Sequence, residues 1–234
     1  MCGRYTLTVD QEALEAALQV PLLLEHAPRF NIAPTQVAPV VVRESEGSAG
    51  SVVARSLRWG LIPHWADEAG IGARLINARA ETVDRKPAFR DAFRRGRCLV
   101  PADGFYEWRK ADGGKQPYWI HGGDGEIFTF AGISDGWRSP EGEVVRTFSI
   151  LTTDAPPELA GIHPRVPVMV GVGDRDRWLD PAAGRNELED LLAAPEGTPL
   201  RVRAVTRRVN SPAHDDGGCL EALNPEAGES EPLR

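Results

Sequence analysis

Cys2 directly follows Met1, and loss of the initiator would leave it carrying a free α-amine and a thiol on adjacent carbons. An α-amino group titrates near ~7.7 to 8.0 and a cysteine thiol near ~8.5, so both approach their nucleophilic forms around neutral pH. Such a 1,2-aminothiol condenses with aldehydes: the amine gives an imine and the thiolate closes a five-membered thiazolidine, which an internal cysteine cannot do. The position also suits a small buried hydrophobe, and the residue alone does not choose between the two.

Three further polar positions lie in apolar or Gly/Pro-shaped surroundings. Glu107 sits among aromatics in Phe105-Tyr106-Glu107-Trp108, where desolvation would raise its pKa toward an acid/base value; a glutamate facing solvent from a strand fits the same pattern. His163 lies between Ile162 and Pro164 just before a strand, as a proton carrier or as a structural hydrogen-bonding residue. Asn77 and Arg79 alternate along Leu75–Glu81, so an extended segment puts both on one face. That pair suits a phosphate, a reacting polar group, or an ion-pair network with Glu81. Trp59, Trp65 and Trp108 read as core or as platforms for unpaired bases, and Cys98 reads as core.

These residues need elements to hold them. Arg4 to Val9 reads as a strand, after which Asp10 caps a helix with Leu14, Ala17 and Leu18 on one face. Pro28 to Pro39 reads as a proline-punctuated loop, and Val37 to Val42 with Ser51 to Trp59 as a hairpin. A helix is expected over Lys86 to Arg95. Short strands follow over Arg97–Pro101, Phe105–Arg109, Pro117–His121, Glu126–Ser134, Arg146–Thr152 and Val166–Gly171. A helical turn is expected in Asp154–Gly161, a helix over Arg185–Ala193 and a late strand over Leu200–Val205. Close-set strands with few helices predict a single α+β domain, a mainly antiparallel sheet curled into a barrel-like core with helices outside.

The 234 residues, 41% of them hydrophobic, are enough for one well-buried core. Cys2, Cys98 and Cys219 show neither Cys-x-x-Cys spacing nor a paired histidine motif, so no metal, cofactor or disulfide framework is expected. No apolar run approaches the roughly 18 residues of a membrane span and no leader is evident, so a cytoplasmic protein without a membrane partner is expected. The formal net charge of -7 argues against a general polyanion binder. Its distribution is uneven: Ala73 to Lys110 holds ten basic and five acidic residues, whereas 211–234 holds six acids and one arginine. The first run fits a basic face or a solvated helix, and the second reads as an acidic flexible tail beyond a domain over 2–210.

Seven motifs then occur in order: Met1-Cys2-Gly3-Arg4-Tyr5, Arg29–Thr35, Arg58–Trp65, Ile76–Thr82, Arg97–Trp108, Ala131-Gly132-Ile133, and His163-Pro164-Arg165-Val166-Pro167. Together they resemble the SOS response-associated peptidase (SRAP) family over roughly residues 2–210. The last motif departs from that family's usual His-x-Arg-Met-Pro, and Pro164 restricts the backbone after His163 and removes a donor. The resemblance implies a sensor of abasic sites in single-stranded DNA that forms a covalent thiazolidine through the mature N-terminal cysteine, acting as a monomer. By motif, Cys2 would be the nucleophile, Asn77 would orient its amine, and Glu107 and His163 would move protons. Arg4 and Arg79 would hold flanking phosphates, with Arg165 nearby on the DNA-binding surface, while Pro34, Trp65 and Trp108 would shape the surface on which the strand kinks.

Three activities fit these residues. Covalent capture of abasic sites uses amine and thiol together. A cysteine peptidase or N-terminal-nucleophile hydrolase, with the Met1-Cys2 bond as its best-motivated substrate, uses the thiol on a carbonyl. A non-covalent single-strand binder needs only the basic run and the tryptophans, and the net charge counts against it.

Overall fold

Two strand systems share one core, and the smaller begins at the N-terminus. The computed structural model describes residues 2–44, 50–123, 126–192 and 200–223. Strand β1 (Tyr5–Leu7) leads into helix α1 (Gln11–Leu18), where the Asp10 carboxylate accepts from the Ala13 amide and Leu14 and Leu18 face inward. Strands β2 (Arg29–Ile32), β3 (Val37–Arg43), β4 (Val52–Trp59) and β5 (Asn77–Arg79) follow, then helix α2 (Arg90–Arg95). The next five strands are β6 (Arg97–Ala102), β7 (Gly104–Ala111), β8 (Gly114–His121), β9 (Phe128–Arg138) and β10 (Val144–Asp154). Helix α3 (Pro157–Ala160), strands β11 (Arg165–Pro167) and β12 (Met169–Val170), helices α4 (Arg175–Leu179) and α5 (Arg185–Leu191), and strand β13 (Arg201–Ala204) complete the order.

Strands β10, β4, β3, β6 and β9 pair in turn, and β9 returns to β10, closing a five-stranded barrel. Closure leaves no free edge in that ring. Both faces of these strands are buried: Val40, Phe130 and Phe148 lie on one, Ala54, Leu99 and Ile133 on the other. Strands β5 and β11 add to β10, and β12 to β9. The second sheet runs β13-β8-β7-β1-β2 and packs beside the barrel. The α+β single domain with a barrel core and outer helices is thus the architecture observed.

Local differences have identifiable causes. Arg29–Ile32 is strand rather than loop because Pro28 and Pro34 flank the pairing segment without interrupting it, and β2 occupies a sheet edge. The helix expected from Lys86 begins only at Arg90, after Pro87. One member of the basic run is not available to a surface: Arg97 is buried and donates to carbonyls of Phe93, Arg94, Trp178 and Asp180.

The segment expected to leave the body at 211 instead packs as far as 223. Asp215 accepts from the Phe30 and Asn31 amides and pairs with Arg29, Cys219 is fully buried, and Ala222 bridges to Val205. Residues 224–234 lie outside the described residues. Among the described residues, no helix is long and apolar enough to cross a membrane, and no group of three or more His, Cys, Asp or Glu is placed to hold a metal.

Candidate functional site

Cys2, Asn77, Glu107 and His163 converge where the two sheets meet. Glu107 is on β7, which pairs with β1 (Tyr5↔Phe105), and the Tyr106 amide donates to the Arg4 carbonyl, so the strand after Cys2 lies along the strand bearing Glu107. Close approach here depends on Gly104, where an added Cβ would lie 2.1 Å from the Trp119 indole nitrogen. Asp103 locks the same register, accepting from Thr6 Oγ1 at 2.5 Å, the Thr8 amide at 2.5 Å and Thr8 Oγ1 at 2.6 Å.

Asn77 arrives from the barrel side, at the start of β5 paired in parallel with β10 (Ile150↔Asn77). The segment before it is held by the Trp59 indole, which donates to the Ile76 carbonyl at 2.9 Å. Its Nδ2 donates to the Cys2 carbonyl at 2.7 Å, fixing the N-terminal residue across the sheet junction. The other side-chain polar atom, Oδ1, is buried and has no hydrogen-bond partner among the described residues.

Cys2 is fully buried, and its Sγ lies 3.6 Å from the Arg4 carbonyl. Burial pushes its thiol pKa up strongly, and the negative charge of Glu107 adds to the effect, so the sulfur is held protonated. Glu107 is only 3% exposed, and desolvation raises its carboxyl pKa to about 7. His163 Nδ1 lies 3.8 Å from Glu107 Oε1. The same nitrogen is 3.0 Å from the Arg165 carbonyl and 3.1 Å from the Arg165 amide. The backbone of one residue therefore satisfies either ring tautomer, and the proton can change nitrogen without moving the ring. Burial lowers the His163 pKa, which keeps the ring neutral near pH 7. Pro164 leaves this intact, because the amide that meets the ring belongs to Arg165.

A cleft of about 570 Å³ opens over Glu107 and His163, walled by Trp108, Lys115, Arg207 and Asn210. Lys115, Arg207 and Asn210 carry no signal in the sequence, because they come from a hairpin tip and a C-terminal turn that only the fold brings to Glu107. Trp108 is half-buried and its indole donates to Asn210 Oδ1 at 2.9 Å. Arg79 is exposed and makes no side-chain hydrogen bond or ion pair among the described residues. Trp65 is 49% exposed, and Pro34 is half-buried in the turn between β2 and β3. Neither lines this cleft. Trp59, by contrast, is core.

Two of the three arginines expected at the DNA-binding surface are already engaged within the protein. Arg4 donates to Asn31 Oδ1 at 2.9 Å, the Val209 carbonyl at 2.6 Å and the Asn210 carbonyl at 3.4 Å. Arg165 donates to Glu81 at 2.5 and 3.0 Å, to Asp154 at 2.7 Å and to the Thr152 carbonyl. Glu81 therefore pairs with Arg165 rather than with Arg79.

Residues 1–212 match the family model described as SOS response associated peptidase (SRAP). The chain belongs to the SRAP family. Among its SRAP relatives, the abasic site processing protein YoqW of Bacillus subtilis is 34% identical over 227 residues, covering 95% of this chain and all of the relative. The abasic site processing protein HMCES of Gallus gallus is 30% identical over 262 aligned residues, covering 94% of this chain and 77% of the relative. A crystallised protein from Bacteroides thetaiotaomicron shares the fold with a TM-score of 0.81 at 26% identity, covering 95% of this chain and all of the other.

Proposed function

We propose that this SRAP protein processes abasic sites in single-stranded DNA by capturing them covalently at Cys2 once Met1 is removed. The observation that carries the reading is the 2.7 Å bond from Asn77 to the Cys2 carbonyl, which holds the N-terminal residue beside Glu107 under the cleft. The relatives named as abasic site processing proteins support the substrate class.

The chemistry balances with these groups alone. Glu107, half-protonated near neutral pH, gives a proton to the ring oxygen as the C–O bond breaks, and the proton released from the anomeric hydroxyl as the aldehyde forms returns to the carboxylate. The Cys2 amine adds to the aldehyde carbon, water leaves and an imine remains. The thiol then adds across the C=N bond: sulfur bonds to carbon, and the thiol proton reaches nitrogen by way of Glu107 or His163. Because burial holds the thiol far above Glu107 in pKa, proton removal accompanies C–S bond formation rather than preceding it. The buried Oδ1 of Asn77 accepts from the amine and keeps its lone pair directed.

Arg79, exposed and without a side-chain hydrogen bond or ion pair among the described residues, holds a flanking phosphate, and Trp108 with Trp65 and Pro34 shapes the path of the strand. Arg4 and Arg165 contribute by fixing the walls through the contacts described above. A single-stranded oligonucleotide with one abasic site is expected to give a denaturant-resistant adduct with wild type and none with Cys2→Ala; absence of the wild-type adduct overturns the proposal.

The family description names a peptidase, and the same thiol could attack a carbonyl, with the Met1-Cys2 bond as first candidate. Turnover of peptide substrates that survives chemical blocking of the N-terminal amine would favour that activity over capture.

A further inference from the structure

The β7–β8 hairpin extends past the cleft and carries an arrangement that the fold itself does not use. Its strands stay in register to the tip, pairing Trp108↔Pro117, Arg109↔Gln116, Lys110↔Lys115 and Ala111↔Gly114. Asp112 and Gly113 make the turn, and Gly113 with the first residue of the returning strand, Gly114, adopts φ 84° and 127°, a backbone that side chains resist. Lys110 and Lys115 are thus directly opposite on one face. Like charges directly opposite one another destabilise a hairpin.

Both lysines are exposed, and neither side chain makes an ion pair or hydrogen bond among the described residues. Period-two alternation puts Trp108 on the same face, and both Trp108 and Lys115 line the cleft. The charge of Lys115 is felt at Glu107 and at His163. Across the cleft stands Arg207, exposed and likewise without a side-chain partner among the described residues. Arg109 points to the reverse face, with its guanidinium 4.8 Å from the Tyr118 ring centroid. An aromatic ring followed by unpaired cations at hairpin spacing, continuous with a cleft, matches what a single-stranded backbone needs: a stacking surface and then charge along the phosphates.

We propose that the Trp108–Lys115 face of the β7–β8 hairpin, with Arg207 opposite, is the track along which the single strand flanking the lesion leaves the site. This rests on the reading of the cleft as a single-strand site. Phosphates on the track neutralise the Lys110–Lys115 pair, so the arrangement that weakens the free hairpin strengthens the bound one. Lys110 lies beyond the cleft wall, and the track therefore engages DNA whether or not a lesion is present.

The test uses undamaged DNA, which separates the track from the covalent step. Affinity for a short labelled single strand is measured by anisotropy across a salt series for wild type, Lys110→Gln/Lys115→Gln, and that pair with Arg207→Gln. Each phosphate that is no longer neutralised lowers the slope of log K against log salt by about 0.7 on single strands, so falls of about 1.4 and about 2.1 are expected. A control pair, Arg138→Gln/Arg177→Gln, removes the same charge elsewhere and is expected to keep the wild-type slope. Slopes unchanged in the hairpin variants, or an equal fall in the control, overturn the proposal; an equal or larger fall on duplex overturns its assignment to single strands. Adduct formation with abasic oligonucleotide at low salt and saturating protein is read in parallel. If wild type binds with the expected slope changes and forms no adduct, capture fails and the track stands; if adduct forms and no slope moves, the track alone fails.

Discussion

Asn77 holds Cys2 by its carbonyl at 2.7 Å while its own buried Oδ1 has no partner among the described residues, so one amide both anchors the N-terminal residue and leaves an acceptor open. Asn77→Ala removes the anchor and the acceptor together. The expected outcome is a roughly 10- to 100-fold slower approach to the denaturant-resistant adduct, since misplacing a reacting group by about 1 Å has effects of that size. Single-turnover gels at saturating protein measure it. Asn77→Asp keeps the shape and loses the donor, and is expected to slow the reaction similarly without unfolding the chain.

Glu107 links activity to pH. Its folded carboxyl pKa is about 7 because of burial, against an ordinary glutamate value of 4.5. A raised acid pKa means the folded state holds its proton more tightly. The stability this gives is fully present below about 4.5 and is lost as pH rises through about 7. The ionised group at pH 8 therefore weakens the fold by about 3 kcal/mol relative to a neutral isostere. Glu107→Gln is expected to melt higher than wild type at pH 8, with the gap shrinking toward pH 5, while its adduct rate falls and loses the inflection near pH 7. Melting curves and single-turnover rates across that pH range check both halves.

Asp103 carries the register of β1 on three donors, two from Thr8 and one from Thr6. Asp103→Ala leaves them without their acceptor near the buried end of the sheet, and a loss of about 3 kcal/mol is expected. For a chain of this size that lowers Tm by roughly 6 to 12 °C. Calorimetry measures the shift; a Tm within 2 °C of wild type, roughly the effect of 1 kcal/mol or less, contradicts the role assigned to Asp103.

Much of this arrangement is legible in the amino-acid sequence. Strands β3, β4 and β6 to β10, the Asp10 cap and the barrel-like core follow from alternation and turn residues, which act locally. Closure of the barrel is not legible there, because the parallel pairing Thr147↔Arg58 and Phe148↔Trp59 joins segments far apart in the chain. The convergence of Cys2, Asn77 and Glu107 comes from motif order, whereas Lys115, Arg207 and Asn210 carry no local mark of belonging to one cleft. The acidic character of 211–223 misleads for a physical reason: the Asp215 carboxylate accepts from the Phe30 and Asn31 amides and pairs with Arg29 instead of belonging to a solvated tail.

Arg4 offers the last test, since its position invites a phosphate and its contacts serve the protein. Its guanidinium bonds to Asn31 and to the carbonyls of Val209 and Asn210, while Asn31 Nδ2 itself donates to the carbonyls of Val209, Ser211 and His214. This ties the strand after Cys2 to the turn that carries Arg207. Arg4→Ala is expected to destabilise the fold by about 2 to 3 kcal/mol, because a charged hydrogen-bonding hub is removed. Limited proteolysis should then cut within 207–216 faster than in wild type. Arg4→Lys is expected to recover only part of the loss, since one ammonium cannot span acceptors set for a planar fork. A residue serving only as a phosphate contact would leave Tm and proteolysis unchanged and alter DNA affinity alone, and that result would refute the wall-fixing role of Arg4.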